Sequence, residues 1–461
     1  MNQSIEDNSI TSQGITKISV AGYKSIDNEC SIEIRPLTIL AGVNSSGKSS
    51  IIQPLLLLKQ TLEATYDPGA LLLNGPNVKF TSTDQFFSKV SSQDNNQFSV
   101  EIEINNSDYI KLIFAKENNI FDLKQMNYKE EDESEIILRK DMTAKEIIDS
   151  LEIPTEINLN LSFRLERIRC FFKLNPLIWS KQKEQYVLPL SLKEKIHILK
   201  AGEKFLNYKL ESQIFFEIYI NNMIHVPGIR GNPLRSYPIS AVGENFPGTF
   251  DNYVASVIND WQIKKSSKLN DLARYLSLLG LTQKVSAKKL NDVDVEIKVS
   301  RLPYNSTLNN EDIDMVSIAD VGFGVSQTLP AIVALLVAEP NQLVYLEQPE
   351  IHLHPRAQAS LADILIESAN RGVKVVIETH SDLILKRIQS LVAEDKIEPE
   401  KIKLHWFSRD QKGCTKVTTA DLDKAGTFGD WPEDFSEVDL QEESRYLDAA
   451  ELKLMSDLDE E

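Results

Sequence analysis

Lys48 and Ser49 close the stretch Gly42-Val43-Asn44-Ser45-Ser46-Gly47-Lys48-Ser49, with Ser50 directly after it. These residue types at this spacing suit one chemistry, the holding of a polyphosphate. Glycines let backbone N–H groups curl around phosphate oxygens, the lysine places a point charge on the outer phosphates, and the serine hydroxyl offers a ligand to Mg²⁺. The loop follows an apolar run, Leu37 to Ala41, and precedes a segment with an apolar face, Ile51 to Leu62. It therefore reads as strand, phosphate loop and helix, the Walker A arrangement, with Pro54 tolerated in the helix's first turns. A glycine-rich turn with no nucleotide is the alternative. The joint agreement of spacing, the Lys-Ser pair and the flanking elements weighs against it.

Three further stretches carry groups that such a loop needs. Asp320-Val321-Gly322-Phe323-Gly324-Val325-Ser326-Gln327 precedes a helix read over Thr328 to Ala338, so Gly322, Gly324 and Ser326 form an anion-binding helix start. Next comes the apolar strand Gln342 to Leu346, which ends in Glu347 and continues as Gln348-Pro349-Glu350. A carboxylate at that point holds Mg²⁺ or its water, which makes the strand a Walker B candidate. Another apolar strand, Val373 to Ile377, ends in Glu378-Thr379-His380-Ser381. In an open α/β sheet the carboxyl ends of the strands are where ligands bind, and three motifs converging there favour γ-phosphate sensing by His380 over a purely structural role. Gln85, just before Phe86-Phe87, reads equally as a metal-and-water sensor or as a surface loop glutamine. His352 and His354 are set aside as a metal site because no further cysteine or histidine cluster joins them.

The elements that must position these groups are a mixture. Thr16 to Val20 and Cys30 to Ile34 alternate as two strands, and Phe98 to Ala115 alternates as a hairpin turning at Asn105 to Asp108. From Lys129 to Leu210 the composition turns to Glu, Lys and Leu, with Leu192, Ile196, Leu199 and Phe205 at helical spacing, which reads as a helical insertion. Within it Arg164, Arg167, Arg169 and Lys173 interleave with Phe163, Phe171 and Phe172; a solvated helix face over a buried aromatic one is favoured over a nucleic-acid contact. Ile214 to Ile220 reads as an apolar strand leading to a shaped loop, His225 to Pro233, in which Arg230 meets either an anionic group or backbone carbonyls. Helices follow near Thr249 to Trp261 and Leu269 to Leu279, then a strand pair ending near Ser300. The densest basic cluster is Lys264, Lys265, Lys268, Lys284, Lys288 and Lys289.

The 461 residues are 42% hydrophobic and 26% charged, enough for a large core and about three structural units by the usual length of a domain. Formal charge is −18, much of it in the last thirty residues, so bulk charge argues against indiscriminate nucleic-acid binding while leaving a local basic groove open. Cys30, Cys170 and Cys414 lack paired spacing, which points to a reducing compartment and no zinc site. The longest apolar run, near Leu329 to Ala338, is too short to span a bilayer, and a cytoplasmic protein without a membrane partner is expected.

The order of these motifs, with Glu-Gln-Pro-Glu, Leu-His-Pro and Thr-His-Ser in succession, resembles the ABC-type heads of SMC-like and RecF-like ATPases. Gly22-Tyr23-Lys24-Ser25 is similar to the opening motif of those heads, which adds Lys24 and Ser25 to the nucleotide contacts. Phe428-Gly429-Asp430-Trp431-Pro432-Glu433-Asp434-Phe435 resembles the end of a prokaryotic AAA-family ATPase group with a C-terminal domain of unknown function. The resemblance implies an α/β fold, an ABC-type P-loop ATPase head with a helical insertion and a small C-terminal extension. Its parts are an N-terminal lobe at 1–128, the insertion at 129–213, a C-terminal lobe at 214–420 and an acidic tail at 421–461. It implies ATP and Mg²⁺ as cofactors, with Ser49, Glu347 and Gln85 toward the metal. It also implies pairing of two heads in a homodimer or higher oligomer, so that Lys48 of one and the Gly322 to Ser326 region of the other enclose ATP.

Such heads serve anti-phage defence, often beside a separate nuclease or toxin, and the related OLD family carries a nuclease in the same chain. About eighty residues follow His380, too few for that, so a separate effector is expected. The alternative is a RecF-like clamp that binds DNA and uses ATP as a timer. One departure matters for turnover. Where those heads carry Asp-Glu this chain has Glu347-Gln348, and an amide orients water without accepting its proton, leaving Glu350 or slow hydrolysis.

Overall fold

Strands that are buried on both faces need near-continuous apolar runs, whereas strands with one wet face alternate, and the chain contains both kinds. The computed structural model describes residues 13–89, 96–117, 120–130, 134–151, 161–180, 185–187, 205–301, 314–429 and 444–450. The chain opens with β1 (Ile15–Ala21), β2 (Cys30–Glu33), β3 (Leu37–Gly42) and α1 (Lys48–Leu62). Then come β4 (Gln97–Ile104), β5 (Asp108–Glu117), β6 (Ile120–Lys129), β7 (Ile136–Arg139), α2 (Ala144–Ser150), β8 (Leu161–Ile168), β9 (Phe171–Ser180), β10 (Gln185–Val187) and α3 (Phe205–Asn222). The next stretch holds β11 (Ile224–Val226), β12 (Tyr237–Pro238), α4 (Val254–Ile263), α5 (Lys268–Leu278), β13 (Val285–Lys289), β14 (Asp294–Ser300) and β15 (Met315–Ser317). The last is α6 (Phe323–Val337), β16 (Leu343–Glu347), α7 (Pro355–Asn370), β17 (Lys374–Glu378), α8 (Asp382–Ala393), β18 (Ile402–Arg409) and β19 (Thr415–Ala420).

The organising layer is a six-stranded sheet in the order β11-β16-β17-β3-β18-β19, parallel from β11 to β18 with β19 antiparallel at its edge. Alternate residues of its buried strands face two different cores. Ile39, Leu346 and Ile377 join α6, α7 and α8 on one face. Leu40, Tyr345 and Val376 join α1 and the antiparallel sheet β2-β1-β4-β5-β6-β7 on the other. The second sheet alternates as its sequence demands, β4 burying Phe98, Val100, Ile102 and Ile104. Smaller sheets, β10-β9-β8 and β12-β14-β13 with β15 on β14, flank these layers. The fold is α/β as expected, with the phosphate-loop stretch joining β3 of the parallel sheet to α1. No helix among the described residues is long and apolar enough to cross a membrane.

Four readings of the sequence are corrected. The stretch 129–213 is not a helical insertion in its described part: β7, β8, β9 and β10 dominate it, with α2 a short helix and α3 entered only at Phe205. Its Arg164, Arg167, Arg169 and Lys173 accordingly lie on or between strands of a hairpin, although Phe163, Phe171 and Phe172 are buried as read. Leu192, Ile196 and Leu199 lie outside the described residues, as do Asp430 to Phe435. Conversely, Ile214 to Ile220 is helix α3, not strand. It buries Gln213, Phe216 and Ile220, a helical spacing hidden inside an apolar run. Helix α6 begins at Phe323, five residues before the Thr328 start read from the sequence, so Pro330 falls in its second turn or later. Pro54 is likewise the seventh residue of α1 and does not end it.

The phosphate-loop helix is fastened at its far end by a buried ion pair. Lys59 is fully buried; its ammonium donates to the Glu63 carboxylate and to the carbonyls of Asn221 and Phe246, while the Gly248 N–H donates to Glu63. Removing one partner of such a pair leaves an uncompensated charge in the core. Glu63→Ala should therefore cost about 3 kcal/mol, and the double change Lys59→Met with Glu63→Gln much less. Chemical denaturation of the three proteins checks the order.

Candidate functional site

The loop between β3 and α1 passes close against the far edge of the sheet, and two glycines make that possible. Gly42 (φ 134°) and Gly47 (φ 106°) sit in backbone regions that L side chains rarely adopt. A Cβ would come 2.1 Å from the Phe407 carbonyl at Gly42 and 2.3 Å from Thr415 Oγ1 at Gly47. The same edge strands brace the loop: Thr415 Oγ1 donates to the Ser46 carbonyl (2.8 Å) and Arg409 Nε to the Ser45 carbonyl (2.8 Å). Ser25 Oγ lies 2.8 Å from Thr415 Oγ1, tying the β1–β2 turn to the same point.

A cleft of about 290 Å³ opens over the N-terminus of α1, lined by Lys24, Ser25, Ser45 to Ser50, Gln53, Glu378 and Arg409. The Lys48 ammonium, 4% exposed, donates to the carbonyls of Gly42 (3.0 Å) and Val43 (2.9 Å). Burial lowers its pKa and the Glu378 charge opposes that. Lys24 donates to Gln53 Oε1 and sits 4.7 Å over the Phe80 ring; burial pushes its pKa down to about 8. Two lysines, a helix N-terminus and five serines on one small concavity form a polyanion site.

Three glutamates gather at the neighbouring strand ends. In the sheet register Glu347 pairs with Glu378, and Glu378 with Leu40 of β3. Glu347 accepts from His225 Nε2 (3.1 Å) and the Gly228 N–H (3.0 Å); burial works to raise its pKa, but the His225 ring and the Gly228 amide hold it below the usual value. Glu378 accepts from Ser49 Oγ through both oxygens (3.0 and 2.9 Å) and from the Tyr345 hydroxyl (2.9 Å). Its pKa is raised by burial and by Glu347, against the pull of Ser49, Tyr345 and Lys48. Glu350 accepts from Thr379 Oγ1 (2.6 Å) and the His380 N–H (2.9 Å), with its second oxygen buried and unpartnered; burial raises its pKa.

Of the residues singled out in the sequence, Ser45, Ser46, Gly47, Lys48, Ser49, Ser50, Lys24 and Ser25 line one cleft, with Gly42 at its base and Asn44 on the exposed turn of the loop. Glu347, Gln348, Glu350 and His380 stand along the same sheet edge. Gln348 has φ 42° and donates its N–H to the Glu378 carbonyl (2.8 Å). His380 is exposed, and burial of its ring's surroundings, then Lys48, lowers its pKa. Gly322, Gly324 and Ser326 form the start of α6 and do not line the Lys48 cleft; Ser326 Oγ donates to the Phe323 carbonyl (3.2 Å). Gln85 is exposed and exchanges hydrogen bonds with Thr81, so the structure does not bring it to the cleft. Arg230 is pinned to backbone carbonyls, those of Gln327 (2.6 Å) and Glu347 (3.0 Å).

Sequence reading missed Glu378, Tyr345, His225, Arg409 and Thr415. The signal for Glu378 was present, a carboxylate closing a buried apolar strand; the others are placed only by the sheet order. The donor set fits Mg²⁺, which takes hard oxygen ligands such as a serine hydroxyl and a carboxylate beside phosphate. Among the described residues no cluster of His, Cys, Asp and Glu forms a protein-only metal cage.

A family model described as "AAA domain, putative AbiEii toxin, Type IV TA system" matches residues 37–386. No curated protein matches the chain significantly. Among solved structures, an Smc head bound to the C-winged helix domain of ScpA is similar at 14% identity and a TM-score of 0.44, over 89% of this chain and 99% of that one. The Smc head with an extended coiled coil, bound to the C-terminal domain of ScpA and derived from Pyrococcus furiosus, gives 13% and 0.42 over 89% and 97%. The SMC head domain from Thermotoga maritima gives 10% and 0.34 over 88% and 98%.

A polyanion in this cleft favours charged Lys24, so binding takes up a proton wherever the free lysine is partly neutral. Affinity is then greatest below about pH 8 and falls as pH rises through that value. Calorimetry of pyrophosphate or nucleotide binding at pH 8 in two buffers of different ionisation enthalpy should show proton uptake, and Lys24→Gln should remove it.

Proposed function

The chain belongs to the AAA-domain family described as AbiEii-like, whose model covers 350 of its 461 residues (37 to 386), and from that premise we propose an ATPase whose nucleotide-dependent pairing regulates a separate effector. The observation that carries the reading is the cleft itself: a glycine loop on a helix N-terminus, Lys48 and Ser49 within it, and a carboxylate hydrogen-bonded to the Ser49 hydroxyl. Lys48, Lys24, Ser25 and the loop amides bind the phosphates of ATP. Ser49 and the carboxylate bonded to it would hold Mg²⁺, which would supply charge neutralisation at the transferring phosphoryl group.

Turnover is slow on this reading. Gln348 orients water without accepting a proton, and the base is Glu350, whose second oxygen has no partner. Exposed apolar side chains on the loops at this sheet edge support pairing of two copies in a homodimer or larger oligomer. Val43 follows β3, Ile229 follows β11, Ile351 follows β16, and Phe323 sits by His352. The family model's description, which names a putative AbiEii toxin and a type IV toxin–antitoxin system, supports a defence role, and in this proposal the paired heads control a separate nuclease or toxin. The basic cluster favours this over a DNA clamp, since Lys264, Lys268 and Lys289 are engaged with Asp260, Glu339 and Asp292. Purification from native cells with ATP present separates the two: a stoichiometric protein partner supports the effector reading, and bound DNA alone overturns it.

Two variants test the chemistry. A Cβ at Gly322 meets nothing within 4 Å and its backbone suits any residue, so Gly322→Trp should fold and bind ATP like the parent yet stay monomeric by light scattering when the parent pairs. Glu350→Gln should cut the hydrolysis rate by about 10²-fold or more with ATP affinity retained. A parental rate in that variant assigns the water to Gln348.

A further inference from the structure

Resting on the Mg²⁺–ATP reading of the cleft, we propose that Glu378 is the carboxylate that joins Ser49 on the metal, and that Glu347, at the end of the Walker B strand, is not. Ser49 Oγ is 3.0 and 2.9 Å from the two Glu378 oxygens. Octahedral Mg²⁺ with bonds of about 2.0–2.1 Å sets neighbouring ligands about 2.9 Å apart, so the hydroxyl and the carboxylate already stand at the edge length of that octahedron. Glu378 also lines the cleft beside Lys48 and Gln53, which Glu347 does not.

Glu347 is committed elsewhere. Its two oxygens are taken by His225 Nε2 and the Gly228 N–H. His225 is 1% exposed and its Nδ1 already lacks a partner, so turning Glu347 toward a metal would strand a buried ring on both sides. Glu378, in contrast, has the supports of a metal ligand. The fully buried Tyr345 hydroxyl donates to Oε2 and fixes the carboxylate plane, as outer partners of metal ligands do. A dication between Ser49 and Glu378 also relieves the repulsion of Glu347 and Glu378, paired on adjacent strands. Gln85, the other side chain considered for this role, is turned to Thr81.

The test uses Mn²⁺ as a spectroscopic stand-in, titrated by electron paramagnetic resonance into the full chain bound to a non-hydrolysable ATP analogue. Analogue affinity in EDTA is measured alongside as a check on folding. Glu378→Gln should weaken Mn²⁺ binding by at least about tenfold while metal-free analogue binding is retained or strengthened, since a negative charge beside the phosphates is lost, and Glu347→Gln should keep the parental Mn²⁺ affinity. Loss confined to Glu347→Gln overturns the assignment, as does loss of metal-free analogue binding in Glu378→Gln, which marks a structural role. A parental chain that binds no analogue at all overturns the ATP reading and this assignment with it.

Discussion

Three carboxylates on one buried sheet edge are the constraint around which the molecule is arranged. Glu347 and Glu378 are register partners on adjacent parallel strands, and Glu350 follows on the loop beyond. Like charges so placed raise one another's cost of ionisation, and each must find donors or stay protonated. The donors come from three different places. His225 and Gly228 at the end of β11 serve Glu347, Ser49 at the start of α1 serves Glu378, and Thr379 with the His380 amide serves Glu350. Satisfying the edge therefore fixes β11, the phosphate loop and the β17–α8 turn against each other.

The phosphate loop is in turn held from the opposite side of the sheet. β18 lies beside β3 along its whole length, and β19 closes the edge, so Arg409 and Thr415 reach the carbonyls of Ser45 and Ser46. Together with the Lys48 ammonium on the carbonyls of Gly42 and Val43, those hydrogen bonds take up four of the loop's carbonyls. The two strands that follow the Thr379-His380-Ser381 turn and α8 thus serve the loop directly. Without β18 and β19 the glycine loop would have nothing to curl against.

What the sequence disclosed and what it hid follow from the range of each interaction. The phosphate loop, the apolar strands ending in Glu347 and Glu378, and the β4–β5 hairpin are local patterns, and each was legible. The region after Lys129 was misread because Glu, Lys and Leu favour helix on propensity alone, while β8 and β9 are fixed by pairing across a tight turn at Arg169. Helix α3 was misread for the opposite reason. Its β-branched and aromatic run exposes Ile214, Phe215 and Ile218 and buries Phe216 and Ile220, so apolarity did not mark the buried face. The role of Glu347 depended on a partner 122 residues upstream, His225, which no local pattern connects to it.

Arg230 shows how the edge reaches the exposed start of α6. Its guanidinium is buried and spans two carbonyls, Glu347 at the end of β16 and Gln327 in the first turns of α6. An arginine cannot be neutralised under ordinary conditions, so this charge stays paired with those carbonyls and with the nearby Asp251, Glu347 and Glu350 charges. A planar fork holds both acceptors at fixed separation, which makes the strand end and the helix one mechanical unit. A shift of the Glu347 backbone must then carry α6 with it or break a charged hydrogen bond in the core. Since α6 begins with exposed Phe323 beside Gly322, this one side chain ties the end of β16 to that exposed helix start.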